Sequence, residues 1–426
     1  MAANPQANDR PHFAHLAPRL LASQEDRPDN EEQPFEAEML LQDAVAARAS
    51  DIHLDPGLGG LRLRFRVDGA MVDVCELGDD LALRLTNQLK NLAQLNPMPV
   101  QTPESGRFTW QMDDQGLDLR LTVAPCLRGD KLAVRILSGG LEYTELEDLG
   151  LNDDQGELLS DWLESSSGML LVTGPTGAGK TTTLYALLHR LRTVERNVIT
   201  LEDPVEYEID GINQMPVNEA QGFTFASGTR TVLRLDPDCI LLGEIRDSDS
   251  ARAANDIASS GRTLMATLHS RDAVGAITML RNYGMDDFEI AANLEVVVSQ
   301  RLVRALCPHC KEERVPNERE RRYLQQVDYE SVDRIWSSTG CPECNDIGYR
   351  GRTGLFEVWR LGAEAQALLL EHTSERVIRK HLNELAHDFL LNQGLLKVTA
   401  GITTLGELWR AGLGSRGRHD SKSSSV

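Results

Sequence analysis

A glycine-rich segment between an apolar run and a leucine-periodic run constrains this chain more than any other feature. The apolar run is Met169–Thr173, and leucines recur at helical spacing from Leu184 onward. Strand, glycine loop and helix in that order are the context that a phosphate-binding loop of form G-x-x-x-x-G-K-[ST] needs. The glycines let backbone N–H groups close around phosphate oxygens, and the helix N-terminus adds partial positive charge. The pattern predicts a phosphate site at Gly174, Pro175, Thr176, Gly177, Ala178, Gly179, Lys180, Thr181 and Thr182.

Chemistry-bearing side chains follow three further apolar runs. We expect Lys180 to reach the β- and γ-phosphates and the Thr181 hydroxyl to hold Mg²⁺. Catalytic groups gather at the carboxyl ends of parallel strands. Glu202, in the acidic stretch after one run, suits a water-positioning or Mg²⁺-organising role. Glu244 follows the second run and suits the Mg²⁺ shell, and His269 follows the third, where a functional role is favoured over a structural one.

Composition sets limits on the class of protein. The chain has 426 residues, long enough for two or three domains. Its 44 basic and 65 acidic residues give a net charge of −21, which argues against a protein that neutralises a nucleic-acid backbone, although it leaves room for a local basic groove. No window offers about 18 uninterrupted apolar residues, and the start has no signal pattern. We therefore expect a cytoplasmic chain without a membrane span.

Changes in residue composition and in the pattern of apolar residues suggest that the chain has five segments. After a polar, proline-dotted start, apolar residues alternate with arginines between Leu61 and Val67, as in a half-exposed strand, and Asp68-Gly69 signals a hairpin. This region reads as an α+β domain of about 100 residues, and the strand–helix pattern after it reads as an α/β domain. The expected segments are a flexible tail at 1–34, the α+β domain at 35–137, a hinge at 138–150, the α/β domain at 151–412 and a disordered tail at 413–426.

Paired cysteines form the second strong signal. Cys307, Cys310, Cys341 and Cys344 make two C-x-x-C knuckles, enough thiolates for a closed tetrahedral Zn²⁺ site. The separation between the knuckles exceeds the commonest spacing, so a site here closes a sizeable insert at about 305–350. Redox chemistry is the rival interpretation, but two knuckles favour structural zinc. We expect Cys75, Cys126 and Cys239 to be inert.

These blocks together resemble the secretion ATPase superfamily, the motors of type II secretion and type IV pilus assembly. The resemblance covers about residues 36 to 412. Three small departures from the family pattern are Asp55 for glutamate, Ala178 for serine, and Ser105 for the acid that usually precedes Gly106. The blocks that carry the resemblance are the phosphate loop, the aspartate box (Ile199–Tyr207), the Walker B block (Gly243–Asp247), the histidine box (Thr267–Ala273) and Ala49–Pro56.

The resemblance implies a fold and a set of roles. It implies a RecA-like P-loop motor domain, a PAS-like N-terminal α+β domain and a tetracysteine zinc insert of the kind that assembly and secretion motors carry. Glu202 would orient the attacking water, Glu244 would support the metal, and His269 would sense the γ-phosphate. Arginines of the N-terminal domain would neutralise charge on the transferred phosphate; these are Arg107, Arg120 and Arg135.

The same resemblance implies partners and leaves alternatives open. It implies a homo-hexamer at the inner face of a bacterial membrane that uses ATP to drive a polytopic inner-membrane platform protein, which extrudes pilin-like subunits, without nucleic acid. The short polar start leaves no room for the folded docking domain that many relatives have. A RecA-like nucleic-acid translocase and a nucleotide-gated scaffold that does not turn over ATP remain alternatives. The sequence does not separate type II secretion from a type IV pilus system.

Overall fold

The computed structural model describes residues 13–23, 35–112, 115–137, 145–165, 167–192, 195–329 and 332–413. Contacts divide the chain into two compact units. One contains Met1–Gly139 with Gly340–Arg350, and the other contains Gly140–Thr339 with Gly351–Val426. Across these described ranges, no helix has both the length and the apolar character required to cross a bilayer.

The first unit is built on a six-stranded antiparallel sheet. Its alternating strands place the apolar residues from Leu61 to Val67 in the core and leave the arginines between them partly exposed. Asp68 and Gly69 both have positive φ, at 48° and 78°, as the predicted hairpin turn requires. The elements are α1 (Pro18–Ala22), α2 (Glu36–Ala46), β1 (Ala49–Pro56), β2 (Leu61–Val67), β3 (Ala70–Leu77), α3 (Asp79–Leu92), β4 (Glu104–Met112), β5 (Gln115–Cys126) and β6 (Gly129–Leu137). The sheet order is β3-β2-β1-β6-β5-β4.

Part of the expected N-terminal tail is folded. A short 3₁₀ helix, Ala14–Leu16, leads into α1, and the side chains of Leu16 and Leu20 are buried in the core of the first unit. The Leu20 N–H donates to Asp43 Oδ2 at 2.9 Å. A flexible tail was therefore the wrong prediction for residues 13–23, because a few leucines within a polar stretch are enough to dock it. Residues 1–12 and 24–34 lie outside the described residues.

The second unit is built on a seven-stranded sheet in which the pairings from β12 to β9 are parallel. Its central strands are buried on both faces, which explains their continuous apolar runs. The strands are β7 (Gly168–Thr173), β8 (Val198–Glu202), β9 (Asn213–Pro216), β10 (Cys239–Ile245), β11 (Thr263–Leu268), β12 (Leu294–Leu306), β13 (Lys311–Arg314), β14 (Ile335–Ser338) and β15 (Tyr349–Arg360). The sheet order is β15-β12-β7-β11-β10-β8-β9, and β13 pairs with β14 separately.

Helices complete the second unit. They are α4 (Asp153–Leu163), α5 (Lys180–Leu191), α6 (Phe225–Val232), α7 (Ser248–Ser259), α8 (Ala273–Asn282), α9 (Asp287–Asn293), α10 (Glu318–Gln326), α11 (Ala363–Leu370), α12 (Glu375–Glu384), α13 (Leu390–Thr399) and α14 (Leu405–Arg410).

One strand gives little sequence signal, and one sequence-based expectation differs from this architecture. β15 begins with a glycine-rich stretch that resembles a loop. The expected hinge is partly core, because Leu146 and Leu149 lie in a 3₁₀ helix and are buried against the second unit. Residues 138–144 of the hinge, and the expected tail from 414, lie outside the described residues.

Candidate functional site

The predicted phosphate loop joins β7 to α5. Gly174, Gly177 and Gly179 have φ values of 154°, 77° and 88°, a region that favours glycine, and α5 begins at Lys180. A Cβ on Gly174 would lie 2.5 Å from the carbonyl oxygen of Gln300, so close packing also requires glycine there. The loop therefore has the backbone that a phosphate cradle needs, at the N-terminus of a helix.

Lys180, Glu244 and His269 lie together at the ends of three adjacent strands. The Lys180 ammonium donates to Gly174 O at 3.0 Å and is 3.4 Å from His269 Nδ1. His269 Nε2 is 2.8 Å from Glu244 Oε1, and Arg246 Nε donates to Glu244 Oε2 at 2.7 Å. Burial lowers the pKa of Lys180; Glu244 opposes this effect and Arg301 adds to it. A cation, a carboxylate and an imidazole thus converge beside the loop.

Glu202 has a different environment from the one expected of it. Its side chain is 4% exposed at the end of β8. Its Oε2 accepts a hydrogen bond from the hydroxyl of Tyr185, and its Oε1 accepts from Thr200 Oγ1 at 2.6 Å and Gln214 Nε2 at 3.2 Å. The neighbouring Asp203 and Glu206 are exposed. In this structure the Glu202 carboxylate is a core group whose two oxygens are already bonded.

Gln300 of β12 fixes the phosphate loop and was not anticipated from the sequence. The residue is 1% exposed; its Nε2 donates to Ala178 O at 2.7 Å and its Oε1 accepts from Thr183 Oγ1 at 2.9 Å. The adjacent Arg301, 8% exposed, donates to Gln300 O at 2.8 Å and to the Arg271 carbonyl. Burial lowers the pKa of Arg301. No local motif reveals this pair, because it reaches the loop only through the pairing of β12 with β7.

A small cavity of about 60 Å³ borders the start of α5. It begins beside Gly179 and Thr182 of the phosphate loop. Leu149, Leu302 and Phe356 supply apolar walls. Asp148, Thr183, Gln300, Arg352 and Gly354 complete the lining. The cavity therefore combines apolar and polar walls next to the phosphate loop, and its volume is well below that of a typical ligand pocket.

The three predicted arginines lie in one row across the first unit's sheet. Arg107 pairs with Arg120 across β4 and β5, and Arg120 pairs with Arg135 across β5 and β6. All three are exposed, and Arg135 Nε donates to Asp51 Oδ1 at 3.0 Å. Within the described residues, Arg107 and Arg120 have no ion pair. Like charges in directly opposite positions destabilise a sheet, so this row favours an anionic ligand.

The four predicted cysteines cluster, with all Sγ atoms within 4.8 Å of one another. Cys341 Sγ and Cys344 Sγ are 3.8 Å apart, and the Gly348 N–H donates to Cys344 Sγ at 3.2 Å. A tetrahedron with metal–sulfur bonds of about 2.3 Å has edges of about 3.8 Å, so the spacing fits a Zn²⁺ ion.

The remaining cysteines differ from one another. Burial raises the pKa of Cys75 and of Cys239, each to about 12, which fits the expected inertness. Cys126 is exposed at the end of β5.

Comparison with known proteins identifies the family. The type II/IV secretion system protein family matches residues 30–410. The chain is 38% identical to the type II secretion system ATPase E of Vibrio cholerae, over 87% of this chain and 73% of that protein. It is 37% identical to the type IV pilus assembly ATPase PilB of Acinetobacter baylyi, over 87% of this chain and 65% of that protein.

Solved structures share the fold. The ATPase DotB of Legionella pneumophila superposes with a TM-score of 0.66 at 19% identity, covering 92% of this chain and 98% of that one. The pilus retraction motor PilT with bound ADP superposes with a TM-score of 0.58 at 22% identity, covering 89% of this chain and 97% of that one. With a phosphate loop, a carboxylate and histidine beside it and a tetracysteine cluster all in place, the chain belongs to the type II/IV secretion system protein family.

Proposed function

We propose that this chain binds Mg²⁺–ATP at the loop Gly174–Thr182 and hydrolyses it to power assembly or export of pilin-like subunits. The observation that carries the proposal is the convergence of Lys180, Glu244 and His269 beside the loop. Lys180 neutralises charge on the β- and γ-phosphates, and the Thr181 hydroxyl, exposed in the first turn of α5, is a ligand for Mg²⁺.

Two groups respond to the terminal phosphate in this proposal. His269 Nδ1 is 3.0 Å from Gly174 O and Nε2 faces Glu244, so a γ-phosphate at the loop competes directly for these contacts. Glu244 is 19% exposed and solvent reaches it, as support of a hydrated Mg²⁺ requires. The arginine row of the first unit supplies further positive charge to the nucleotide of the same chain, as the family resemblance implies.

Family membership supports a proposal for assembly and partners. We expect a homo-hexamer that acts on a polytopic inner-membrane platform protein and stays peripheral to the membrane on its cytoplasmic face. The relatives named above serve type II secretion in one case and type IV pilus assembly in the other, so the cargo is a pilin-like subunit of one of these systems. The nucleic-acid translocase alternative receives no support from these relatives.

The four clustered thiolates hold one Zn²⁺ in this proposal. Cys307, Cys310, Cys341 and Cys344 supply the complete ligand set, and a closed four-sulfur site serves folding rather than catalysis.

Nucleotide trapping tests the hydrolytic role. Glu244→Gln should bind ATP with wild-type affinity yet release phosphate at least about a hundredfold more slowly, because it removes charge stabilisation without changing shape. Arg360→Gln, an exposed change at the end of β15, is the control and should hydrolyse normally. Normal turnover by Glu244→Gln would remove this residue from the mechanism, and absence of turnover in the wild-type chain would favour the nucleotide-gated scaffold.

A further inference from the structure

A buried hydrogen-bond network joins the phosphate-loop helix α5 to the end of β8. Tyr185 is 1% exposed on α5, and its hydroxyl donates to Glu202 Oε2. The other carboxylate oxygen accepts from Thr200 and Gln214. A carboxylate this buried requires such donors, since removing a charged group from water is costly without them. The network therefore fixes Glu202 in one orientation.

The same network holds the backbone that follows Glu202. The Glu206 N–H donates to the Tyr185 hydroxyl at 3.4 Å. Gln214 Nε2 donates to Tyr207 O at 3.1 Å, and the Ile209 N–H donates to Gln214 Oε1 at 2.7 Å. The segment 203–206, whose two carboxylates are exposed, is thus held at its end by the Tyr185 hydroxyl of α5, and the residues just after it are held by Gln214 of β9.

The charge environment agrees with a positioning role. Burial, followed by the hydrogen bond to Glu202, raises the pKa of Tyr185 well above its ordinary value, so its hydroxyl stays protonated and remains a donor. Exposed carboxylates are available instead at Asp203, which is 3.3 Å from Arg246 Nη1, and at Glu206. Those groups have access to water that Glu202 lacks.

We propose that Glu202 is a positioning residue and that Tyr185 is its partner, the pair fixing segment 203–206 relative to the phosphate-loop helix. The proposal deepens the hydrolytic function proposed above and rests on it. In this proposal a solvent-accessible carboxylate orients the attacking water. Glu202, the glutamate of the aspartate box, instead holds the segment that follows it in place. The exposed acids are then held in a defined position relative to the helix that carries Lys180.

A double-mutant cycle on the full chain tests this assignment. The variants are Tyr185→Phe, Glu202→Gln and the double variant, with Tyr207→Phe as the matched control. Tyr207 packs edge-on against Tyr185 at 4.7 Å between ring centroids, and its hydroxyl has no hydrogen bond within the described residues. For each variant, kcat for phosphate release, KM for ATP, ADP affinity and melting temperature are measured.

If Glu202 is a positioning residue, each of the two single variants lowers kcat by a similar factor, about 5- to 20-fold. The double variant is then no slower than the slower of the two single variants, because the effects of two partners in one network are not additive. ADP affinity stays within about twofold and Tyr207→Phe behaves as wild type. Thr200→Val, which removes another donor to Glu202 with little change in shape, lowers kcat in the same way and serves if Tyr185→Phe does not fold.

Three results would overturn the assignment. A loss of about 10³-fold or more in Glu202→Gln alone, with Tyr185→Phe near wild type, would make Glu202 the group that activates water. Additive losses of kcat in the double variant would show that Tyr185 and Glu202 act independently. A lowered melting temperature with unchanged kcat would reduce the network to a purely structural one. ATP turnover by the wild-type chain and by Lys180→Ala is measured in the same assay. If the wild-type chain has no turnover that Lys180→Ala abolishes, the hydrolytic function itself has failed, independently of the role of Glu202.

Discussion

At the residue scale, the phosphate loop depends on a side chain from another strand. Gln300 uses both ends of its amide, one on Ala178 O and one on Thr183 Oγ1, in a site that water does not reach. Each such bond contributes on the order of 1 kcal/mol, and a buried partner left without its bond costs more. The loop conformation is therefore fixed before nucleotide binds, which lowers the ordering cost of binding.

Gln300→Leu should weaken binding of both ATP and ADP by about 10- to 50-fold, since two hydrogen bonds to the loop are lost together. Thr183→Val removes one of them and should weaken binding by a smaller factor. Calorimetric titration of the full chain with ADP measures both. Gln326→Leu, on an exposed position of α10, is the control. Unchanged ADP affinity in Gln300→Leu would mean that the loop holds its shape unaided.

Motif residues and supporting residues differ in how far the sequence reveals them. Lys180, Glu244 and His269 could be predicted because each directly follows its own strand or loop, so local order determines where it lies. Gln300 and Tyr185 could not, because their roles depend on β12 lying beside β7 and on α5 packing near β8. For Glu202 the motif gave the position in the chain but not the burial of the carboxylate.

At the element scale, apolar periodicity identified most strands of both sheets and failed where glycine or polar residues interrupt it. β15 begins with Tyr-Arg-Gly-Arg-Thr-Gly, yet its second half is buried in the sheet beside β12. Edge strand β9 has only four residues and no buried one, so no pattern indicates it. Whether such segments form strands depends on pairing with strands that are distant in the sequence.

The C-terminal helix α14 is anchored to β12 by a buried ion pair. Glu407 is 2% exposed and accepts hydrogen bonds from Arg304, at 2.7 Å from Nη2, and from Arg410, at 2.7 Å from Nη2. Burial alone would raise the pKa of Glu407, but the hydrogen bonds from both arginines outweigh it and the pKa is lowered. A lowered pKa in the folded state contributes stability that is fully present above the unfolded value of 4.5 and is lost as pH falls from that value through the folded-state pKa.

Glu407→Gln should therefore lower the free energy of unfolding at pH 7 by about 2 to 4 kcal/mol, because Arg304 loses its charged partner. The difference between wild type and variant should shrink as pH falls below 4.5 and the Glu407 carboxylate becomes protonated. Urea unfolding of both chains at each pH measures it. Glu364→Gln, an exposed change on α11, should show neither effect. A difference that stays constant over this pH range would contradict the ionised pair.

The cysteine cluster makes a separate prediction for its insert. Purified chain should contain about one zinc, and Cys310→Ser should lose it and loosen the segment around 307–344, because a structural site contributes folding energy directly. ADP binding should survive in the second unit. Cys126→Ser, at an exposed thiol away from the cluster, should retain zinc. Elemental analysis that finds no zinc, or seven readily titrated thiols in native protein, would rule the site out.

At the scale of the whole molecule, the proposed function draws on residues of both units. The phosphate loop belongs to the second unit and the arginine row to the first. Family resemblance predicts that both act within one chain, with the hinge region letting the units close on ATP and open after hydrolysis. Arg107 and Arg120, which are exposed side by side and have no ion pair within the described residues, are the structural feature of the first unit that this mechanism uses.

Mixing two inactive chains tests whether the arginines act within their own subunit. Arg120→Ala chains keep an intact phosphate loop, and Lys180→Ala chains keep intact arginines. Under conditions that exchange subunits, no ATPase activity should return, because every site still lacks one partner. A mixture of wild-type and Lys180→Ala chains is the control for exchange. Substantial recovered activity would show that the arginine comes from a neighbouring chain.

Steady-state phosphate release by the purified full chain is the direct test of ATP hydrolysis at the loop Gly174–Thr182. Wild-type chain with Mg²⁺ and ATP should turn over, and Lys180→Ala should be slower by at least about a hundredfold, because the ammonium that neutralises the β- and γ-phosphates is gone. Lys380→Ala, at an exposed lysine of α12 paired only with Glu384 within the described residues, should match wild type. Equal phosphate release by wild type and Lys180→Ala would contradict the assignment of this loop as the ATPase site.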